Sequence, residues 1–203
     1  MKSRMAIISA TGTARKRTIP ALAASDSVEV VAIHGRDRGK LDALAIECGI
    51  PGVFTDLDEL LELDDFDLLL VASPPFLHEE QIIRALTAQR PIICEKPLAS
   101  DLASASRVAQ LVATTGIPFM LAHHLRHHPM VARVKALIEK ATIGRPYHAD
   151  LEWSFRLNHE SPNASWKLDP ALGGPSAFYD AGIHALDLAL HLFGVPPRVF
   201  GTA

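Results

Sequence analysis

Cysteine is nearly absent from the 203-residue chain. Only Cys48 and Cys94 occur, the second inside an apolar strand pattern with Ile92 and Ile93, and this usage points to a reducing, cytoplasmic setting. An excess of one charge is also missing. The 20 Lys and Arg against 23 Asp and Glu leave a formal charge of −3, which argues against a polyanion-binding surface and against nucleic acid as the partner. Long apolar runs are lacking too. The densest, Leu68 to Ala72, has the length of a strand, whereas a bilayer-spanning helix needs roughly 18 residues, so no membrane span is expected. At the start of the chain an apolar run of about six residues is cut short by Thr11, Gly12 and Arg15-Lys16-Arg17, too short for a secretory signal. Internal repeats and low-complexity tracts do not occur. What remains is ordinary globular composition, 48% hydrophobic and 21% charged, enough to bury a sizeable core.

Short apolar runs alternate with helix-length amphipathic segments, the signal of a parallel sheet. Strands are expected at Met5–Ser9, Val28–Ile33, Asp67–Ala72, Pro91–Glu95 and Ile117–Ala122, with a weaker one at Gly52–Thr55. Helices are expected near Thr13–Ala24, Gly39–Cys48, Asp56–Leu63, His78–Gln89 and Asp101–Thr115. The strand residues are almost continuously apolar, as they should be in strands covered on both faces. Residues 1–121 therefore read as a doubly wound α/β domain with a parallel Rossmann sheet. From residue 122 to 203 the pattern changes to an incomplete α+β domain. It predicts a helix at Met130–Lys140, a turn at Ile143–Pro146, a strand at Tyr147–Arg156, a long loop at Leu157–Gly174, a helix at Ser176–Phe193 and a strand from Arg198 to Ala203. Two strands do not make a stable sheet without more strands or a covering partner, which points to a homo-oligomer or to a fragment of a longer product.

In a doubly wound sheet, ligands bind beyond the carboxyl ends of the strands. The first such turn is Ser9-Ala10-Thr11-Gly12-Thr13-Ala14. Against the dinucleotide fingerprint G-x-G-x-x-G/A, Ser9 and Thr11 replace the first two glycines and Ala14 fits the last position. A side chain forced to positive φ costs roughly 1–2 kcal/mol, while the two hydroxyls could donate to phosphate in part compensation. The second strand ends in His34-Gly35-Arg36-Asp37-Arg38, with no acid at the strand end to accept ribose hydroxyls. A small residue, Gly35, followed by Arg36 suits a 2′-phosphate, since guanidinium pairs with it bidentately; NADP(H) is favoured and NAD(H) is possible. The plainer alternative makes Arg36 and Arg38 solvated residues opening a helix that Asp37 caps.

Two more turns fall on the same edge, Ser73-Pro74-Pro75-Phe76-Leu77-His78 and Cys94-Glu95-Lys96-Pro97. Pro97 biases Lys96 to extended geometry, so the amine can project from a strand end. Farther on, Asp180 and His184 stand i and i+4 on one helix face, where a carboxylate can orient an imidazole and raise its pKa. With Asp187 and His191 they form a polar stripe, and such stripes are usually solvated.

The Ser-Pro-Pro-x-x-His turn, Glu95-Lys96-Pro97, Trp166-Lys167-Leu168-Asp169-Pro170, Gly173-Gly174 and Asp180-x-Gly182-x-His184 occur in an order that resembles the Gfo/Idh/MocA oxidoreductases. Within that family, His123-His124-Leu125-Arg126 followed by Ile143-Gly144-Arg145-Pro146 looks most like the NADPH-dependent 1,5-anhydrofructose reductases. The resemblance implies a sugar-like or cyclic polyol substrate and hydride transfer to or from its carbonyl or hydroxyl carbon. Lys96, Asp180 and His184 would be catalytic, with Lys96 and His184 reaching one oxygen if a cleft closes between the domains. Ser9, Ala10, Thr11, Gly12, Thr13, Ala14, Gly35, Arg36, Ser73, Pro74, His78, Glu95 and Lys96 would hold the cofactor. His124, Arg126, Trp166 and Lys167 would line the substrate side, although Trp166 could equally anchor a loop. A zinc reading of His123, His124, His127 and His128 is the weaker one, because no carboxylate or cysteine lies in that stretch. The family normally continues beyond this length, so the competing expectation is a catalytically impaired, truncated member that binds nucleotide or serves as a scaffold.

Overall fold

The structure, a computed structural model, describes all residues except 155, 157–163, 170–171, 173–176 and 202–203. It divides into two compact units, Met1–Ala122 and His123–Ala203.

The first unit is a six-stranded parallel sheet: β1 (Ser3–Ile8), β2 (Val28–His34), β3 (Gly52–Phe54), β4 (Leu68–Val71), β5 (Ile92–Cys94) and β6 (Phe119–Leu121). Their order across the sheet is β3-β2-β1-β4-β5-β6, so the chain reverses its direction of travel beside β1. Between them run a π-helical turn (Ala14–Thr18), α1 (Ile19–Ala23), α2 (Arg38–Cys48), α3 (Leu57–Glu62), α4 (His78–Thr87) and α5 (Leu102–Thr115). Aspartates start the helices after β2, β3 and β5: Asp37 accepts from the Lys40 amide at 3.0 Å, Asp56 from that of Asp58 at 2.7 Å and Asp101 from that of Ser104 at 2.9 Å. Gly49 and Gly116 stop α2 and α5 at φ near +67° and +68°, a conformation that costs other residues more.

Apolar strand residues alternate between two cores, one on each face. Ala6, Ile8, Leu69, Val71, Ile92 and Cys94 pack with Leu60 and Ile82, whereas Met5, Ile7, Ile33 and Leu70 pack with Leu41 and Leu44. The pairing of β1 with β2 shifts by one residue between Met5↔Val30 and Ala6↔Ala32. This bulge puts Val31 and Ala32 into the same core and directs His34 toward the face that carries Asp56.

In the second unit, α6 (Pro129–Glu139) begins at His128, whose Nδ1 accepts from the Met130 amide at 3.2 Å. A short α7 (Ala164–Leu168) is followed by a π-helical turn (Phe178–Gly182) that runs into α8 (Ile183–Phe193). Two expectations are corrected here. Among the described residues neither 147–156 nor 198–201 forms a strand, because a strand exists only through a ladder with a neighbour and the described part of this unit offers none. The loop at 157–174 and the first residues of the last helix lie largely outside the described residues. The alternative of a solvated stripe does not hold for its middle: His184 and Asp187 are buried, with Ala181 beside them, while Leu186, Leu190 and Phe193 are 43–47% exposed. Among the described residues no helix is long and apolar enough to cross a membrane.

Candidate active site

The carboxyl ends of β1, β2, β4 and β5 carry most of the cofactor candidates. At the β1 end Ser9 adopts φ +60°, the left-handed region for which the fingerprint uses glycine. Thr11 does not share it; the strained residue in this turn is Ser9 alone. The turn is pinned on both sides, Ala10 N–H donating to the His34 carbonyl at 3.0 Å and Ala72 N–H to the Ile8 carbonyl at 3.2 Å. Ala10 and Ala14 are buried, so these small residues let the turn pack against the sheet, while Gly12 and Thr13 are exposed.

At the β2 end, Gly35 donates to the Phe54 carbonyl at 3.2 Å and lies so close to Leu41 that a Cβ would meet its Cδ2 at 3.3 Å. Beyond it the arginines differ. Arg38 is tied to Asp42 at 2.8 Å, whereas exposed Arg36 has no ion pair among the described residues. His34 is partly buried and its Nδ1 lacks a hydrogen-bond partner among the described residues. Burial pushes its pKa down against the opposing pull of Asp56.

The β4 and β5 ends are fastened together by His78. Its Nε2 lies 2.8 Å from the Ser73 carbonyl and its Nδ1 2.9 Å from the Pro97 carbonyl, with the Cys94 Sγ 3.4 Å from Nδ1. The ring is fully buried, so His78 presents no surface to a ligand; it supports the turns that Pro74, Glu95 and Lys96 occupy. Burial lowers its pKa despite the carbonyls, which favour the charged ring. The Cys94 thiol beside it is pushed far up by burial and is therefore unreactive. Ser73 is equally inward-facing, its hydroxyl donating to Gln81 at 2.6 Å. Lys96, half-buried, stands two residues past the strand end, and the Lys96–Pro97 peptide is cis.

In the second unit His184 is 8% exposed and packs against two rings. Trp153 stacks on it at 5.1 Å and 26°, and His124 meets it edge-on at 5.2 Å and 78°. Asp180 lies in the π-helical turn and accepts from Lys167 Nζ at 2.5 Å. The Lys167 ammonium also sits 5.6 Å from the Trp166 ring centroid. Arg126, whose side chain is 41% exposed, is engaged by a carboxylate. Its Nε donates to both Asp187 carboxylate oxygens at 3.0 and 2.9 Å and its Nη2 to Oδ1 at 2.5 Å, with the carboxylate raising the guanidinium pKa.

Sequence reasoning missed the roles of Asp187 and Trp153. Asp187 stood in view as part of a polar stripe three residues after His184; Trp153 carried no signal beyond being one of two tryptophans. His124 to His127 form a 3₁₀ turn, in which i and i+4 residues do not align, and among the described residues no three His, Cys, Asp or Glu side chains converge as a metal ion would need.

Residues 3–123 match the NAD-binding Rossmann fold of the Gfo/Idh/MocA oxidoreductase family. The chain belongs to that family. Residues 131–203 match the family's C-terminal domain. Among family relatives, the chain is 31% identical over 196 residues to D-xylose 1-dehydrogenase (NADP(+)) 2 of Haloferax volcanii, covering 97% of this chain and 59% of the relative. It is 30% identical over 186 residues to 1,5-anhydro-D-fructose reductase of Ensifer adhaerens, covering 91% and 55%. A levoglucosan dehydrogenase solved with NADH and levoglucosan superposes with a TM-score of 0.77 at 25% identity, over 96% of this chain and 54% of that one. The chain thus spans somewhat more than half the length of the family members it matches.

Proposed function

We propose that this chain carries the cofactor-binding and acid–base parts of an NADP-preferring dehydrogenase or reductase acting on a sugar-like or cyclic polyol substrate. The observation that carries the reading is the sheet edge itself. One row of strand ends presents the pinned Ser9–Ala14 turn, an uncommitted Arg36 and, after β5, Lys96. These residues fit a phosphorylated dinucleotide: small buried alanines admit close backbone approach and Arg36 has a guanidinium to spare for a 2′-phosphate. The bound nicotinamide would supply or accept hydride. Lys96 and His184 would move the proton at the substrate oxygen, and their positive forms would stabilise charge developing on it. Asp180, shared with Lys167, would govern the charge around His184. The named activities of the relatives, a xylose dehydrogenase and an anhydrofructose reductase, supply the substrate class. The reading includes a cytoplasmic setting, in keeping with two unbridged cysteines, and self-association through the second unit.

NADPH at a hundred times its Kd should stabilise the protein by about 2.7 kcal/mol, seen as a raised melting temperature. Turnover on a panel of aldoses, anhydrofructose and inositols should fall about 10²–10⁴-fold in Lys96→Ala while that stabilisation persists. An unchanged melting temperature and unchanged tryptophan fluorescence with millimolar NADPH would end the cofactor assignment. A second reading, nucleotide binding without turnover, is favoured by Ser9 standing at φ +60°; binding that persists with no turnover on any substrate, and no effect of Lys96→Ala, would select it.

A further inference from the structure

We propose that the Arg126–Asp187 pair is a positioning device for His184, and that Arg126 acts on the reaction through that imidazole, without touching the substrate. The inference rests on the acid–base role given to His184 above.

Three residues of one short stretch face α8. His124 meets the His184 ring edge-on at 5.2 Å; His123 Nδ1 lies 3.6 Å from Asp187 Oδ2; Arg126 grips the same carboxylate through three contacts of 2.5–3.0 Å. On α8, His184 and Asp187 are i and i+3, so they share a face, and both are buried, at 8% and 6% exposure. The stretch is therefore joined to the helix at two neighbouring points, one ionic and one through rings. A guanidinium fork bound to a carboxylate fixes direction as well as distance, which an isolated ring contact does not. A third attachment, Lys135 Nζ donating to the His191 carbonyl at 3.0 Å, holds α6 to the end of the same helix. Trp153 stacks on the imidazole at 5.1 Å. With one ring stacked on it and another set edge-on to it, the imidazole keeps its orientation as long as the stretch carrying His124 stays in place, and the Arg126–Asp187 pair keeps it there.

A substrate contact and a positioning residue fail differently when removed. In Arg126→Met, kcat should fall about tenfold with the sugar KM within twofold of the parent, and Arg126→Lys, which keeps the charge and loses the fork, should fall in between. Independently of turnover, the imidazole ¹⁵N and Cε1–H resonances of His184, assigned by their loss in His184→Gln, should shift in ligand-free Arg126→Met, reporting a changed tautomer or ring environment. If Arg126→Met does not fold, Arg126→Lys carries both measurements. Unmoved His184 resonances, or a sugar KM raised with kcat intact, overturn the proposal. Absence of turnover in the parent protein would count against the oxidoreductase reading alone, because the resonance measurement needs neither substrate nor cofactor.

Discussion

Ser9 holds its backbone at φ +60° although it has a Cβ, which costs an L-residue roughly 1–2 kcal/mol. The hydrogen bonds of Ala10 and Ala72 to flanking strands impose that conformation from both sides. Ser9→Gly is therefore expected to stabilise the protein by about 1 kcal/mol, less the entropy glycine adds to the unfolded chain, read from urea denaturation midpoints at constant slope. A variant no more stable than the parent would mean that the Ser9 hydroxyl makes an equal contribution. His78 teaches a different lesson at this scale. Its position after a Pro-Pro turn was legible as belonging to the ligand edge, yet its contacts were not. Only the folded chain shows that its two ring nitrogens face carbonyls from two different strand ends.

Among the elements, β3 is one of three three-residue strands and is sterically confined at Gly52. It pairs with β2 through Ala32↔Gly52, Ile33↔Val53 and His34↔Phe54. A Cβ on Gly52 would lie 2.9 Å from the Val31 carbonyl oxygen and 3.0 Å from the Ala32 Cβ, and main-chain atoms cannot step aside cheaply. Gly52→Ala should destabilise by about 1–3 kcal/mol, the range for overpacking, measured as a lowered melting temperature. An unchanged melting temperature would show that β3 lifts from β2 without loss. The strands of the first unit could be read from sequence because both faces are covered and apolar residues run on without a break, as in the LLLV of β4. The second unit was less legible for a physical reason. The segment Tyr147–Arg156 has strand-like residues, but a ladder is a property of two segments, and sequence periodicity reports only one. In α8 the polar stripe itself was visible; its inward orientation was not, since hydropathy assigns His184 and Asp187 to water when their partners Arg126, His124 and Trp153 are distant in sequence.

For the molecule as a whole, buried His78 and partly buried His34 of the first unit set an acid limit. Burial lowers the folded-state pKa of both His78 and His34 from the ordinary 6.5. In the window below that value the unfolded chain binds protons that the folded chain refuses, so stability is complete above about pH 7 and declines as pH falls toward 5. Urea midpoints taken across that range should decrease toward acid, and His78→Gln should show a shallower decline. A parent protein whose midpoint does not change between pH 7 and 5 would contradict the lowered pKa of these two rings.

The strand order has a further consequence for how the chain is made. β1 leaves the ribosome first, yet its register needs Leu68–Val71 of β4 on one side and Val28–His34 of β2 on the other. Until β4 has been synthesised, Ile7 and Ile8 have a neighbour on one edge only, so the pairing of β1 is completed only once Val71 has been added.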